Sequence, residues 1–118
     1  MKPSLKLIIT LLSLFIITTS YAFRFNNETP QKIYVTQTAG GRPGHMFKAE
    51  IKPFDWAACN WQDRDCNASG KPDGLVSFEV GDPAFLAFHC PISNIKADSL
   101  VTITSFDAKR RLCGYTVN

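Results

Sequence analysis

Through most of the chain after residue 22, apolar and polar side chains alternate one for one. In Phe47–Lys52 the odd positions are Phe47, Ala49 and Ile51, and the even ones Lys48, Glu50 and Lys52. A strand with one face in a core and one in water reads this way; a helix would space its apolar residues three and four apart. The same period places Ile33 with Val35 in Lys32–Gln37, Val76 with Phe78 and Val80 in Leu75–Val80, and Val101 with Ile103 in Leu100–Phe106. It groups Cys113, Tyr115 and Val117 in Arg111–Val117. Ala84–Cys90 is apolar on both faces, with Leu86, Phe88 and Cys90 on one and Phe85, Ala87 and His89 on the other. This predicts a central strand, covered on both sides.

Turn-forming residues separate these segments. They include AGGRPG at 39–44, Gly81-Asp82-Pro83, and Asp107–Arg110 between the last two strands, which should form a hairpin. Phe23–Pro30 reads as a strand end and a turn, Pro91–Ser99 as a connection. Pro53–Gly74 is long and irregular, with a short helical turn expected near Trp56–Trp61. A structureless stretch of that length is unusual in a compact domain unless something ties it down. At least six short strands and no amphipathic helix predict an all-β fold, a small antiparallel β-sandwich or partly closed barrel.

The first 22 residues differ in kind. Lys2 and Lys6 precede an apolar run, Leu7–Ile17, and small residues at Ser20 and Ala22 flank Tyr21. These are the parts of a secretory signal peptide, with cleavage expected after Ala22. The run is short for a membrane span, which takes about 20 apolar residues. One domain, 23–118, is then expected to be secreted or periplasmic, with no transmembrane segment. Loss of Lys2 and Lys6 lowers the net charge from +3 to +1. A near-neutral domain argues against nucleic acid as a partner, because that binding depends on neutralising phosphates with clustered cations.

The chain has four cysteines, Cys59, Cys66, Cys90 and Cys113. An even number in an exported chain reads as disulfides, and four allow three pairings. Cys59–Cys66 with Cys90–Cys113 is favoured. The first pair closes one turn-rich loop, and the second joins two strand-like segments whose cysteines both face inward. Structural zinc on these cysteines with His45 and His89 is the weaker reading, since no C-x2-C spacing occurs. No metal or other cofactor is expected.

Candidate chemistry gathers in the Cys59–Cys66 loop. Phe54, Trp56 and Trp61, among Asp55, Asn60, Gln62, Asp63, Asp65 and Asn67, combine aromatic faces with carboxylates and amides, a mixture that suits a carbohydrate or another small polar ligand, with Trp56, Trp61, Asp63 and Asp65 as the expected contacts. The plainer reading is that both indoles pack over the disulfide and close one end of the sandwich. Asp63, Asp65, Asn67 and Ser69 resemble the start of a calcium loop, but Ala68 and Gly74 stand where Gly and Glu are needed. An Asx-rich turn accounts for them as well. Asn27-Glu28-Thr29 and Asn67-Ala68-Ser69 have N-glycosylation spacing, and Lys109–Arg111 makes a small basic turn. A hydrolytic device would need His45 or His89 beside a carboxylate such as Asp55 or Asp82. Three functions follow in order of support. The first is non-catalytic binding of a carbohydrate, protein or surface partner, through Trp56, Trp61, Asp63 and Asp65. The second is a small secreted hydrolase, and the third an effector, toxin or inhibitor that blocks a target protein.

Overall fold

The computed structural model describes residues 22–82 and 85–118, backbone alone at 22 and 85–88. The expected signal peptide thus lies outside the described residues, except for Ala22, which opens the first strand. Among the described residues there are eight strands and no helix: β1 (Ala22–Asn27), β2 (Ile33–Ala39), β3 (Lys48–Ile51), β4 (Trp56–Asn60), β5 (Leu75–Asp82), β6 (Phe85–Lys96), β7 (Leu100–Asp107) and β8 (Leu112–Val117). They form two four-stranded sheets, ordered β4-β1-β7-β8 and β3-β2-β5-β6. The sheets face each other as a sandwich and do not close into a barrel. All pairings are antiparallel except β1 with β7.

The core is the set of inward positions that the period-two pattern picks out. Ile33, Val35, Val76, Phe78, Val80, Val101 and Ile103 are all buried between the sheets. Phe23 and Phe25 of β1 join them, and with Phe47 and Phe78 they form a four-ring cluster at the centre. Three of its contacts are edge-to-face at ring separations of 4.8–5.1 Å, the arrangement that the ring quadrupoles favour. Four phenylalanines from two strands and a loop, one strand in each sheet, therefore pack the sheets together.

The sandwich has two open sides, closed differently. On one, β3 runs into β4 through the Lys52–Asp55 turn. On the other, edge strands β6 and β8 are joined by Cys90–Cys113, with Cα atoms 6.1 Å apart. The second disulfide, Cys59–Cys66, ties the end of β4 to the loop after it. Both pairings agree with the sequence reading. The long loop is further held by backbone bonds to the β2–β3 loop, from Arg42 N–H to the Asp65 carbonyl and from Ala68 N–H to the Gly40 carbonyl.

Two buried asparagines organise the turns by one device. Asn27 Nδ2 donates to the Gln31 carbonyl (2.8 Å), Thr29 Oγ1 donates to Asn27 Oδ1 (2.6 Å), and Gln31 N–H donates to Thr29 Oγ1 (3.4 Å). Forty residues on, Asn67 Nδ2 donates to the Lys71 carbonyl (2.8 Å), Ser69 Oγ donates to Asn67 Oδ1 (2.9 Å), and Lys71 N–H donates to Ser69 Oγ (3.1 Å). The Asn-x-Thr/Ser spacing here is a turn-forming unit. Both acceptor nitrogens are held inside the fold.

Three local expectations are corrected. Trp56–Asn60 is strand β4, not a helical turn. Ala57 and Cys59 are half-buried while Trp56, Ala58 and Asn60 are exposed, so period two continues there; pairing with β1 decides the conformation. Pro91–Ser99 is not simply a connection, because β6 extends to Lys96. Finally, β6 is an edge strand, not a central one. Its hairpin with β5 places it at the only free side of that neighbour, since β2 occupies the other. Pro91 lies within it, and proline, which lacks an N–H, is tolerated in edge strands. The facing of Phe85 to Phe88 lies outside the described side chains.

Candidate functional site

Outward residues of β1 and β4 meet at the β3–β4 corner. In the β1–β4 register Asn26 opposes Trp56 and Arg24 opposes Ala58. Arg24 and Trp56 are therefore diagonal neighbours, within reach of long side chains, and Ala58 leaves room between them. The Arg24 guanidinium lies over the indole, 4.4 Å from its centroid. Its Nε donates to Asn26 Oδ1 at 2.8 Å. Stacking and this bond orient the exposed side chain.

The turn before β4 adds a second aromatic. Asp55 N–H donates to the Lys52 carbonyl, with Pro53 and Phe54 between. Phe54 has φ of 59°, a left-handed conformation that a bulky side chain adopts at a cost of about 1–2 kcal/mol. It is also 73% exposed, and Trp56 is 54% exposed. A strained backbone thus holds a large apolar ring in water beside another. Phe54→Gly is expected to stabilise the fold by about 1 kcal/mol, which a thermal melt would show as a rise of roughly 4–8 °C.

Arg24, Asn26, Asn27, Glu28, Phe54, Asp55 and Trp56 line an open cleft of about 540 Å³. Its floor is rigid. Asn27 N–H donates to the Asp55 carbonyl, and Asp55 Oδ1 accepts from Trp56 N–H at 2.8 Å. The polar groups around the two rings comprise a guanidinium, two carboxylates and two amides, of which the Asn27 amide is buried. They can exchange directional hydrogen bonds with hydroxyls while the rings take an apolar face.

Of the four residues expected to contact a ligand, only Trp56 lines this cleft; Asp55, named as a carboxylate for a histidine device, and Asn27, of the glycosylation spacing, line it too. Trp61 follows the far end of β4, about 16 Å along the strand at 3.3 Å per residue. It is half-buried against the core, as the packing reading anticipates for it but not for Trp56. Asp63 Oδ1 accepts from Asp65 N–H at 3.0 Å, and the Asp65 carboxylate pairs with Arg42 Nε at 3.5 Å. Both carboxylates thus take part in shaping the disulfide loop. Asn67 donates to the Trp61 carbonyl as well as to that of Lys71, so its amide is occupied in the turn. Cys59, Asp63 and Cys66 bring ligand atoms within 4.8 Å of one another, but both sulfurs are committed to the disulfide.

The histidines lie elsewhere. His45 is exposed in the β2–β3 loop. His89 Nδ1 is 4.0 Å from Glu79 Oε2 on the outer face of the β3-β2-β5-β6 sheet, and neither histidine lines the cleft. The basic turn is shaped by Asp107, whose Oδ1 accepts from Lys109 and Arg110 N–H. Arg24, Asn26 and Glu28 were not identified from sequence. Arg24 was legible only as an outward position between Phe23 and Phe25; its stacking partner is more than thirty residues away. Compared with known family models, curated proteins and solved structures, the chain matches none.

Proposed function

We propose that the protein is an exported, non-catalytic binding module whose cleft at the β3–β4 corner takes a saccharide. The observation that carries this reading is the exposure of Phe54 and Trp56 side by side, Phe54 on a backbone conformation that folding alone disfavours. Strain retained at an exposed aromatic points to use of that ring outside the fold. The surrounding guanidinium, amide and carboxylates supply the directional bonds a sugar needs. Two disulfides in a small domain are compatible with an extracellular or periplasmic location.

This reading keeps Trp56 from the sequence-based set and moves the contact surface from the disulfide loop to the cleft. Trp61, Asp63 and Asp65 then serve the loop's shape. The test is tryptophan fluorescence titrated with a panel of oligosaccharides. A binder should change the emission of the wild type and of Trp61→Phe, and leave that of Trp56→Phe unchanged. Phe54→Gly should weaken the same interaction at least five-fold while melting higher than the wild type. A panel without a single response, or a response that persists in Trp56→Phe, would end the proposal.

A further inference from the structure

Building on the saccharide reading, we infer that the preferred ligand carries a negative group, a carboxylate or sulfate on the sugar, and that Arg24 recognises it. Arginine matches an oxyanion best when its planar fork is already oriented, because little rotamer freedom is then lost on binding. Arg24 meets that condition. Its Cζ sits over Trp56, 4.4 Å from the ring centroid, and its Nε donates to Asn26 Oδ1 at 2.8 Å. Among the described residues the two terminal nitrogens make no hydrogen bond or ion pair. The guanidinium has five N–H donors, of which Nε–H alone is used, and it lines a cleft beside two aromatic side chains.

The neighbouring carboxylates do not take this role away. Asp55 is turned into its own strand, with Oδ1 accepting from Trp56 N–H. Neither Asp55 nor Glu28 lies within ion-pairing distance of Arg24. They remain available as acceptors for hydroxyls. With one cation and two carboxylates, the cleft has no field that draws anions in general. Discrimination must come from the geometry of the fork at one place on the ligand, and it should weaken only modestly with salt, unlike binding to a basic patch.

The decisive comparison changes the charge and keeps the sugar. Oligogalacturonate and its methyl ester share a ring and differ in the carboxylate, and a chondroitin sulfate oligosaccharide presents sulfate as well. Calorimetric titration of the wild type should show the acid form bound at least ten-fold more tightly than the ester. A hydrogen-bonded charge pair of this kind supports such a factor. Arg24→Lys keeps the positive charge but loses the fork, and should bring acid and ester within about two-fold of each other. If chondroitin sulfate binds at least ten-fold more tightly than desulfated chondroitin and Arg24→Lys removes that difference, sulfate is the recognised group and the assignment to Arg24 stands. If acid and ester bind equally, or Arg24→Lys leaves their ratio unchanged, the inference is wrong while the saccharide reading survives. If neither these nor neutral oligosaccharides bind, the saccharide reading itself falls.

Discussion

Asn27→Asp is expected to remove most of the stability of the domain at neutral pH. The Asn27 amide donates to three main-chain carbonyls, those of Gln31 (2.8 Å), Ile51 (3.1 Å) and Lys52 (3.0 Å). Its oxygen accepts from Thr29 N–H and Oγ1. One buried side chain therefore stitches the end of β1 to the end of β3, across the corner where the two sheets join. A carboxylate of the same shape would replace the donor by an acceptor facing three acceptors. Each orphaned group costs about 1–3 kcal/mol, so a total near 4 kcal/mol is expected against a net stability of roughly 5–10 kcal/mol for a domain this size. The sign of its pH dependence is also set. Burial among carbonyls raises the folded-state pKa of the introduced carboxyl above the unfolded value. The variant therefore binds more protons folded than unfolded, and its stability falls as pH rises through the acid range. Urea unfolding at pH 4 and pH 7 would show this. A variant as stable as the wild type at pH 7 would mean that the corner is held by something else. Asn67→Asp offers an internal comparison. It breaks the same hydrogen-bond unit, but in a loop that Cys59–Cys66 already closes, so the loss should be smaller.

Removing Cys90–Cys113 is expected to be the second large effect. The link spans 23 residues, and the chain-entropy estimate for such a closure is about 3.4 kcal/mol, against about 2.5 for the seven-residue Cys59–Cys66 separation. Position adds to length. Cys90–Cys113 is the only disulfide between edge strands of opposite sheets. Tyr115 and Val117 of β8 stand opposite core residues Ile103 and Val101, yet they are 40% and 38% exposed. The β8 edge is thus thinly packed and depends on the bridge. Cys90→Ala with Cys113→Ala should lower the melting midpoint by about 15–25 °C, at roughly 4–8 °C per kcal/mol. Hydrogen exchange should show β8 amides losing protection before those of β1 or β5. Equal loss of protection across both sheets would argue against a local role for the bridge.

The sequence carried far in one direction. Inward positions such as Val76, Phe78, Val80, Val101 and Ile103 follow from alternation alone, and all are buried. The β7–β8 hairpin was legible from two alternating runs around Asp107–Arg110. Both disulfides followed from inward parity and loop closure. The candidate site was less legible. Trp56 and Trp61 look alike in sequence, being five residues apart amid polar neighbours. One ends up over half exposed under Arg24, the other half-buried against the core. Strand alternation separates them by parity, a signal that a helical turn over Trp56–Trp61 would not carry.

What the chain determines by itself is local: which residues of its alternating strands face inward, where its sharpest turns fall, and that sulfur reinforces a small core. These depend on the two-residue repeat of an extended backbone and on turn chemistry, both properties of neighbouring residues. The tertiary structure alone decided strand order, the edge position of β6, the parallel β1–β7 pair, and the meeting of Arg24 with Trp56. Those depend on which strands pair. Pairing energy comes from contacts between segments far apart in the chain, and no local period encodes them.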